Sequence, residues 1–538
     1  LGTAGLPEHV DVMVVGGGVV GAATAYALAR TLPKDRKVLL VEQFNGPAHR
    51  QGSSHGDGRI FRLAYSEENY ARLALVAWRG WRELESRSAE ELMLGAAAGG
   101  LDIGVDEAPQ LKGVAEVLQN LKRKVKLFRG AELEKRFPQL RLASFEAAVY
   151  SSDSRVLHAD RCVRVLWQEA VKEGLVVCTG VRAESITSLC EGDNGPDHGV
   201  GVAGGAGFRV RLREAPGSES AFAVYVGKQR VKEVTVDAVV MCCGAWAPKL
   251  LAASPSVRRA RPYLPLPELR VSAETVVYYG VRKELQAAND GDKTPEFDST
   301  TADWNGKKIS HRVGDMPHFI VHMDNGLGAH GYYGLPAVDV PGLKLSAHYC
   351  GPHIDPDTAV RIDDDGGERV KDVLRSCDRL VNRLFPWLDS ENKLKTQHCL
   401  YTVTPDHDFV MGPVKFGVAG NAKAGEPKLV PGHAAPGLYV AAGFSGHGFK
   451  FGPALGEIMA AFVRNYLQID AEGDARALGH LGVGGEFRGF VHQTEGNKKD
   501  KEKEADLSNP KNWIDVSLEP FAPDRFHSKA KPPVAGTK

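Results

Sequence analysis

A glycine-rich turn near the start of the chain has the spacing of a phosphate-binding site. The pattern G-x-G-x-x-G is met by Gly16, Gly18 and Gly21. It follows an apolar, β-branched run at 11–15, typical of a buried strand, and opens an alanine-rich segment at 19–30 that predicts a helix. In such a unit the first glycine allows a tight turn, the second the approach of a pyrophosphate, and the third close packing of helix on strand. The pyrophosphate would lie at the helix N-terminus.

An acidic residue stands where an adenosine ribose would be bound. Residues 37–41 predict a second strand, and Glu42 ends it, about 20 residues after the turn. A carboxylate there accepts hydrogen bonds from ribose hydroxyls and disfavours a 2′-phosphate. Strand, helix, strand and acid together predict a dinucleotide, either NAD or FAD, rather than NADP or a purely structural glycine turn.

A second glycine-rich stretch, residues 51–65, carries two arginines three residues apart. Its small residues would let a planar cofactor lie against the backbone. If the end at 59–65 begins a helix, Arg59 and Arg62 become neighbours on one face. By itself the stretch leaves a solvated basic turn as the alternative.

Polar side chains alternate with apolar ones along residues 343–348. On a strand, Lys344, Ser346 and His348 would share one face. Burial of that face would push Lys344 toward its neutral form, which is typical of catalytic lysines. A solvated edge would make both basic residues ordinary, and the pattern favours the buried face.

Two apolar strands end at further glycine turns. The strand predicted at 438–442 leads into a glycine-rich turn that holds Lys450 and precedes a helix. This second helix N-terminus is expected to point at an electron-rich group. The strand at 237–243 breaks at Gly244, two residues before Trp246. A glycine at a strand end suits a second close contact with the dinucleotide.

Cys399 is followed by Tyr401 and by a tight turn that ends at Asp406. A buried cysteine is most often a small apolar packing residue. The eight cysteines form no C-x-x-C pair, so neither a metal site nor a disulfide framework is expected. Sparse cysteines favour a reducing compartment.

The composition excludes several classes of partner. The 67 basic and 67 acidic residues cancel, which argues against nucleic acid or a membrane surface as a partner. No apolar run approaches the roughly 20 residues needed to span a bilayer. The C-terminus lacks a Ser-Lys-Leu address. We expect an intracellular, soluble protein of the cytoplasm or the peroxisome.

Three of these stretches together resemble the monomeric sarcosine oxidases and their relatives, the L-pipecolate and N-methyltryptophan oxidases. They are residues 52–62, 399–406 and 442–451. The resemblance implies the D-amino-acid-oxidase type of α/β fold, with an FAD-binding Rossmann-type domain and a substrate domain of mixed and antiparallel β-sheet. The expected FAD domain is discontinuous, at 10–90, 150–255 and 396–470, and the expected substrate domain comprises 91–149 and 256–395.

Several segments depart from the family pattern. Polar or glycine-rich stretches at 192–219, 284–316 and 417–436 predict exposed insertions, which leave the substrate open. Residues 471–538 form a C-terminal extension in which the Lys/Glu/Asp run at 495–506 predicts disorder.

The resemblance implies FAD attached covalently through the sulfur of Cys399 to the 8α carbon of the flavin. It places His55 and Arg59 close to the ring, with Arg59 on the face opposite Lys344. The residues expected to bind FAD are Gly16, Gly18, Gly21, Glu42, Ser54, His55, Arg59, Gly244, Trp246, Cys399, Gly446, Gly448 and Lys450.

The same resemblance assigns the substrate contacts. Arg62 and Lys450 would hold a carboxylate, Arg62 as a planar fork and Lys450 as a point charge. Tyr401 would line the substrate cavity, and Tyr333 and His348 would face the amine.

Lys344 matches the lysine that activates oxygen in this family, where a fixed positive charge stabilises developing superoxide. The implied reaction is oxidation of a secondary or N-methyl amino acid, sarcosine- or pipecolate-like, by a monomer. The imine is hydrolysed by water, and oxygen becomes hydrogen peroxide. Two alternatives share the fold: a fructosyl-amino-acid oxidase, and a dehydrogenase that uses another electron acceptor. A flavoprotein without catalytic activity is the alternative from another class.

Overall fold

Two eight-stranded sheets organise the chain. The computed structural model describes residues 6–189, 207–215, 231–255, 267–285, 300–328, 330–358, 367–415, 418–419, 429–430, 434–469, 479–481, 487–490 and 513–522. The strands of the first sheet are β1 (His9–Val15), β2 (Val38–Glu42), β9 (Val176–Thr179), β10 (Val181–Ser188), β11 (Phe208–Glu214), β12 (Val231–Met241), β20 (Val410–Lys415) and β23 (Ala434–Ala442). Those of the second are β5 (Gly100–Val105), β6 (Val125–Arg129), β7 (Glu146–Ser151), β13 (Arg270–Val281), β16 (His318–His322), β17 (Tyr332–Leu335), β18 (Leu343–Ala347) and β19 (Leu388–Val403).

Shorter strands form four small sheets in the described part of the chain. They are β3 (Arg59–Phe61) with β8 (Arg155–Leu157) and β4 (Met93–Leu94); β14 (Thr301–Trp304) with β15 (Lys307–Ser310); β21 (Val418–Ala419) with β22 (Leu429–Val430); and β24 (Gly479–Leu481) with β25 (Phe487–Phe490) and β26 (Trp513–Val516). The α-helices are α1 (Val19–Thr31), α2 (Glu68–Ser88), α3 (Pro109–Asn120), α4 (Ala131–Arg136), α5 (Ala159–Lys172), α6 (Ala247–Ala253), α7 (Gly367–Leu384) and α8 (Gly452–Tyr466). Among the described residues, no helix is both long and apolar enough to cross a membrane.

The first sheet has a parallel centre that is buried on both faces. Its order is β10-β11-β12-β1-β2-β9, with β23 parallel to β12 and β20 at the edge of β23. Val12 and Val14 pack into the core that contains the helices, whereas Met13 and Val15 pack into a second core on the opposite face. Burial on both faces explains why β1 is a continuous apolar run instead of an alternating one.

Helix α1 is buried along its whole length between α5 and α8. Its alanines allow this close packing, and α8 contributes a glycine at the crossing. A Cβ on Gly456 would collide with the backbone of Ala23. Helices α2 and α5 each bury one apolar face in the same core.

The second sheet has the order β19-β13-β18-β17-β16-β5-β7-β6 and is antiparallel except for the β16–β5 pair. Helix α7 covers it, and Phe319, Phe385 and Trp387 lie in the core between them. The expected combination of a Rossmann-type sheet with a mixed, mainly antiparallel sheet is confirmed. The boundaries of the two discontinuous domains stay a prediction.

The structure corrects three local expectations. Residues 59–65 do not begin a helix, because Arg59–Phe61 pairs with β8 as strand β3. Within 192–219, the part at Phe208–Glu214 is not a surface insertion but a strand of the first sheet, with every second side chain buried. The polar stretch at 284–316 includes the hairpin β14–β15, which buries Ala302 and Ile309 in the core of the second sheet. In the C-terminal extension, for which no strand is predicted, β24, β25 and β26 pair with one another.

The remaining parts of these segments lie outside the described residues. This applies to the disorder predicted at 495–506, to 192–206 and 216–219, to 286–299, and to most of 417–436.

Candidate active site

One cavity of about 630 Å³ joins the glycine turn after β1 to the ends of β18 and β19. This volume is typical of small-molecule sites. Among its lining residues are sixteen of the predicted site residues: Gly16, Gly18, Glu42, Ser54, Arg59, Arg62, Gly244, Trp246, Tyr333, Lys344, His348, Cys399, Tyr401, Gly446, Gly448 and Lys450. Residues more than 400 positions apart in the chain therefore meet around one space.

The nucleotide end of the cavity depends on glycines for different reasons. Gly16 has a φ of 99°, and a Cβ on it would lie 2.5 Å from the carbonyl oxygen of Cys242. Gly21 does not line the cavity; a Cβ there would collide with the carbonyl of Gly16. The tight turn and the close packing predicted for these two glycines are present. A Cβ on Gly18 would lie 3.1 Å from the Ser54 hydroxyl, on the cavity wall.

Glu42 is buried beside this turn. Its carboxylate accepts hydrogen bonds from the backbone N–H of Gly17 at 2.7 Å and of Phe44 at 2.9 Å. The Ser54 hydroxyl accepts from the N–H of Val19 at 3.0 Å, and the first turn of α1 contains no acid. A helix N-terminus with no acid of its own, beside the buried carboxylate of Glu42, is a place where the diphosphate and the ribose of a dinucleotide would fit.

Further along the cavity, Gly244 has a φ of 51° and starts the short 3₁₀ turn that holds Trp246. The Trp246 indole N–H donates to Asp357 at 2.9 Å, and its ring lies 5.3 Å from Phe44. These contacts hold a flat side chain at the cavity wall between β12 and β2.

Lys344 lies on β18 with its side chain almost fully buried. The Nζ atom donates to the carbonyl of Gly58 at 3.0 Å and lies 3.5 Å from a carboxylate oxygen of Asp57. Burial and the charge of Arg59 lower the pKa of Lys344 to about 8, while Asp57 opposes this shift. The pKa of Lys344 is thus shifted in the predicted direction, toward the neutral form.

Asp57 is held on its other side by the Tyr278 hydroxyl, which donates to it at 2.8 Å. Burial alone would raise the pKa of Asp57, but Lys344, Tyr278 and Arg59 together lower it. Asp57 is therefore a buried anion between a lysine and a tyrosine. Sequence reasoning assigned it no role, although it lies within the glycine-rich stretch that contains Arg59.

Cys399 is buried on β19, opposite Glu274 of β13, and faces the cavity. Burial and Glu274 raise the pKa of the thiol, while Arg59 and Lys344 act in the opposite direction. The net effect raises the pKa of Cys399, and the two positive charges only limit that rise, because nearby positive charge favours the thiolate.

Tyr401 and His348 form one unit at the substrate end. The Tyr401 hydroxyl and Nδ1 of His348 are 3.2 Å apart, and the Tyr333 ring lies 5.7 Å from the imidazole. Burial lowers the pKa of His348 to about 3, so the ring is neutral at ordinary pH. Gly446 permits this arrangement, since a Cβ there would collide with the Tyr401 ring. A neutral imidazole can position an amine without repelling it.

Two cations meet beyond this unit, and only one has a carboxylate partner among the described residues. Arg62 donates to Asp102 at 3.0 Å. Lys450 is buried and donates to the Tyr65 hydroxyl at 2.8 Å and to the His447 carbonyl at 2.7 Å. Burial and the charge of Arg62 lower the pKa of Lys450 well below its ordinary value. An anion bound here would stabilise the ammonium.

Two predicted residues differ from expectation in their surroundings. His55 is buried and does not line the cavity; burial lowers its pKa to about 3. Gly448 lines the cavity, but a Cβ there would lie 2.6 Å from Phe444, so glycine is needed for packing of the turn. Sequence reasoning missed Tyr65 and Asp102 as well as Asp57, because each acts through a partner distant in the chain.

Comparison with known proteins accounts for this arrangement. The family model "FAD dependent oxidoreductase" matches residues 11–462. The chain belongs to the FAD-dependent oxidoreductase family. FAD is therefore its cofactor, and the predicted resemblance and enzyme class are confirmed.

Two relatives that are named sarcosine oxidases are similar to this chain over most of their own length. The monomeric sarcosine oxidase of Bacillus sp. (strain B-0618) is 30% identical over 85% of this chain and 92% of its own. The peroxisomal sarcosine oxidase of Mus musculus is 28% identical over 84% and 90%. Among solved structures, NikD, an unusual amino acid oxidase essential for nikkomycin biosynthesis, has 20% identity, a TM-score of 0.58, and coverage of 85% and 94%. This last likeness supports the fold.

Proposed function

We propose that this flavoenzyme oxidises a small secondary or N-methyl amino acid, sarcosine- or pipecolate-like, with oxygen as the acceptor and FAD attached to Cys399. The observation that carries the proposal is Lys450. Its buried ammonium donates to two neutral oxygens and forms no ion pair within the described residues, yet it lies beside Arg62 on the wall of the cavity that contains Cys399. Because burial and Arg62 disfavour the charged form of Lys450, a ligand carboxylate bound beside it would restore that form.

The chain's own residues then orient the substrate. Arg62 keeps guanidinium donors besides the Nη1 atom that contacts Asp102, and Lys450 keeps one N–H beyond its two hydrogen bonds. Together they would fix the carboxylate and place the amine near His348 and Tyr401. Holding reacting groups in register supplies much of the rate in such reactions.

FAD, when bound, would take up the two electrons released when the C–H bond next to the amine is broken. The substrate loses two electrons and two protons and becomes an imine, which water hydrolyses. Dioxygen accepts both electrons and two protons to give hydrogen peroxide. Lys344 would stabilise the negative charge that develops on oxygen, because its buried Nζ atom lies in the same cavity. The relatives' names support oxidation of an N-methyl amino acid.

A substrate panel tests this function. Hydrogen peroxide is measured with sarcosine, L-pipecolate, other N-methyl amino acids and fructosyl amino acids, each beside the matching amine that lacks the carboxylate. We expect turnover of at least one secondary amino acid and loss of most of its kcat/KM when the carboxylate is removed. Equal turnover of the decarboxylated amines would refute the carboxylate clamp. Preference for fructosyl amino acids would identify them as the substrate class instead of secondary amino acids. Flavin reduction without peroxide would indicate a dehydrogenase.

A further inference from the structure

The C-terminal segment 513–522 is fastened to helix α2. The side-chain amide of Asn69 donates to the carbonyl of Ser517 at 2.9 Å and accepts from the N–H of the same residue at 3.0 Å. Strand β26 also packs along α2. The segment lies beyond residue 462, where the match to the family model ends. The segment is held by both hydrogen-bonding groups of one side chain, that of Asn69.

Phe521 is the residue that this segment inserts into the molecule. Its side chain is fully buried, and its ring lies 5.5 Å from the rings of both Tyr70 and Phe409. These residues come from α2 and from the turn that precedes β20. Phe521 therefore fills a space between α2 and the turn before β20 and contacts a ring from each.

Tyr70 leads from Phe521 to the buried cation. Its ring stacks on Tyr65 at 5.3 Å and meets His447 edge-on at 5.1 Å. These two residues are the ones that accept hydrogen bonds from Lys450, Tyr65 through its hydroxyl and His447 through its carbonyl. Both acceptors that orient the ammonium thus belong to residues whose rings contact Tyr70.

We propose that Phe521 is a positioning residue for Lys450, so that the C-terminal segment tunes the affinity of the site for the substrate carboxylate. An ammonium has three N–H donors, and two are fixed by Tyr65 and His447. The direction of the third follows from these two. Because a close-packed interior transmits displacements, an empty space at Phe521 lets Tyr70 shift and turns the free N–H away from its target. The inference rests on the proposed function, in which Lys450 binds that carboxylate.

The test uses the full-length holoenzyme with Phe521→Ala. We expect KM for the amino-acid substrate to rise about tenfold while kcat stays within about twofold, the pattern of a lost binding interaction. Pyrrole-2-carboxylate, which has a carboxylate but no oxidisable C–N single bond, serves as the unreactive ligand, and its Kd is read from the flavin spectrum. This Kd should rise by the same factor, while that of pyrrole-2-carboxamide stays unchanged. Phe521→Leu should recover part of the loss.

Phe137→Ala is the matched control for lost stability. Phe137 is also a buried phenylalanine with two ring neighbours, Phe128 at 6.3 Å and Tyr150 at 5.7 Å, but it lies in the core of the second sheet. We expect a similar loss of Tm with KM unchanged. An equal rise of KM in Phe137→Ala would overturn the proposal, since the effect would then reflect a general loss of stability.

Asn69→Leu provides a second route to the same result. It releases Ser517 without touching the aromatic rings, and it decides the question if Phe521→Ala does not fold. An unchanged Kd for pyrrole-2-carboxylate in both variants would overturn the inference.

Lys450→Met separates this inference from the proposed function. If Lys450→Met weakens carboxylate binding and the Phe521 variants do not, only the role of the C-terminal segment fails. If Lys450→Met leaves carboxylate binding unchanged, the carboxylate clamp itself fails.

Discussion

Lys344 and Arg59 donate hydrogen bonds to the same acceptor, the carbonyl oxygen of Gly58, at 3.0 and 2.9 Å. Two cations thus converge on one neutral oxygen, and Asp57 is the buried anion in contact with Lys344. Such an arrangement keeps positive charge fixed at the cavity wall beside Cys399 while limiting its electrostatic cost. Its consequences for oxygen chemistry and for the flavin tether can be measured separately.

Replacing Lys344 should separate the two halves of the reaction. In Lys344→Met we expect reduction of the flavin by substrate to continue, while oxidation of the reduced holoenzyme by oxygen slows roughly 10²- to 10³-fold, because a fixed charge that stabilises the developing anion is lost. Stopped-flow absorbance under anaerobic and aerated conditions measures both steps. Lys395→Met is the control, since Lys395 lies over the Tyr278 ring on the neighbouring strand. Unchanged reactivity with oxygen in Lys344→Met would rule out the proposed role.

Removing the charge of Asp57 should move the pH dependence of the oxygen step. The protonated lysine supports this step, so the rate falls as pH rises through the Lys344 pKa of about 8. Asp57 raises that pKa, and Asp57→Asn should therefore shift the fall to lower pH. The measurement is the second-order rate constant for oxygen across the pH range.

Asp378→Asn is a matched control for Asp57→Asn. Asp378 accepts from the hydroxyl of Tyr279 at 2.7 Å, just as Asp57 accepts from Tyr278, but Tyr279 lies in the core of the second sheet. Its loss should leave the pH profile in place. A profile that does not move in Asp57→Asn would indicate that another group sets it.

If FAD is attached to Cys399 as proposed, Cys399→Ala should yield a protein that releases FAD on denaturation. Formation of the thioether removes the thiol hydrogen and one hydrogen of the flavin 8-methyl group, and oxygen takes up the two electrons and two protons. Denaturing mass spectrometry of the native chain should therefore find the mass of FAD less two hydrogens on the peptide that contains Cys399. Cys242→Ala, at the nucleotide end of the same cavity, should keep the tether. An unmodified Cys399 peptide from yellow protein would contradict covalent attachment.

The ion pair within α8 should matter to stability rather than to catalysis. Glu457 and Arg464 are 2.7 Å apart with side chains only 1% and 2% exposed, and Arg464 also donates to Thr31 of α1. Removing one partner leaves a buried charge, so Glu457→Ala should lower the free energy of unfolding by about 3–5 kcal/mol.

Two further sets of variants test whether an unpaired buried charge causes this loss of stability. Loss of both charges in Glu457→Leu with Arg464→Leu should cost less than Glu457→Ala, because no charge is left unpaired. Glu368→Ala breaks an exposed pair with Arg375 and should cost about 0–1 kcal/mol in denaturant unfolding. A Glu457→Ala loss as small as that of Glu368→Ala would argue against a buried charge penalty.

Local pattern determined much of the architecture. The βαβ unit at the N-terminus follows from an apolar run, a glycine spacing and an alanine-rich segment, all within about 30 residues, and Gly16 adopts the positive φ that its turn requires. The alternation of Lys344 with Ser346 likewise places both on one face of β18, a strand whose residues are all buried. Short-range geometry decides such features, so the sequence alone predicts them.

Tertiary structure decided which groups act on these residues. Tyr65 meets Lys450 across 385 positions, Asp57 meets Lys344 across 287, and Phe521 meets Tyr70 although the family pattern ends before it. Strand β3, the β14–β15 hairpin and the β24–β26 sheet likewise depend on distant partners, which bury their side chains or pair their backbones. The sequence by itself determined the FAD fold and the identity of the charged residues. Only packing over long chain separations decided which groups these residues contact, which protonation state they favour and where their hydrogen-bond donors point. Burial and electrostatic neighbours are properties of the folded chain.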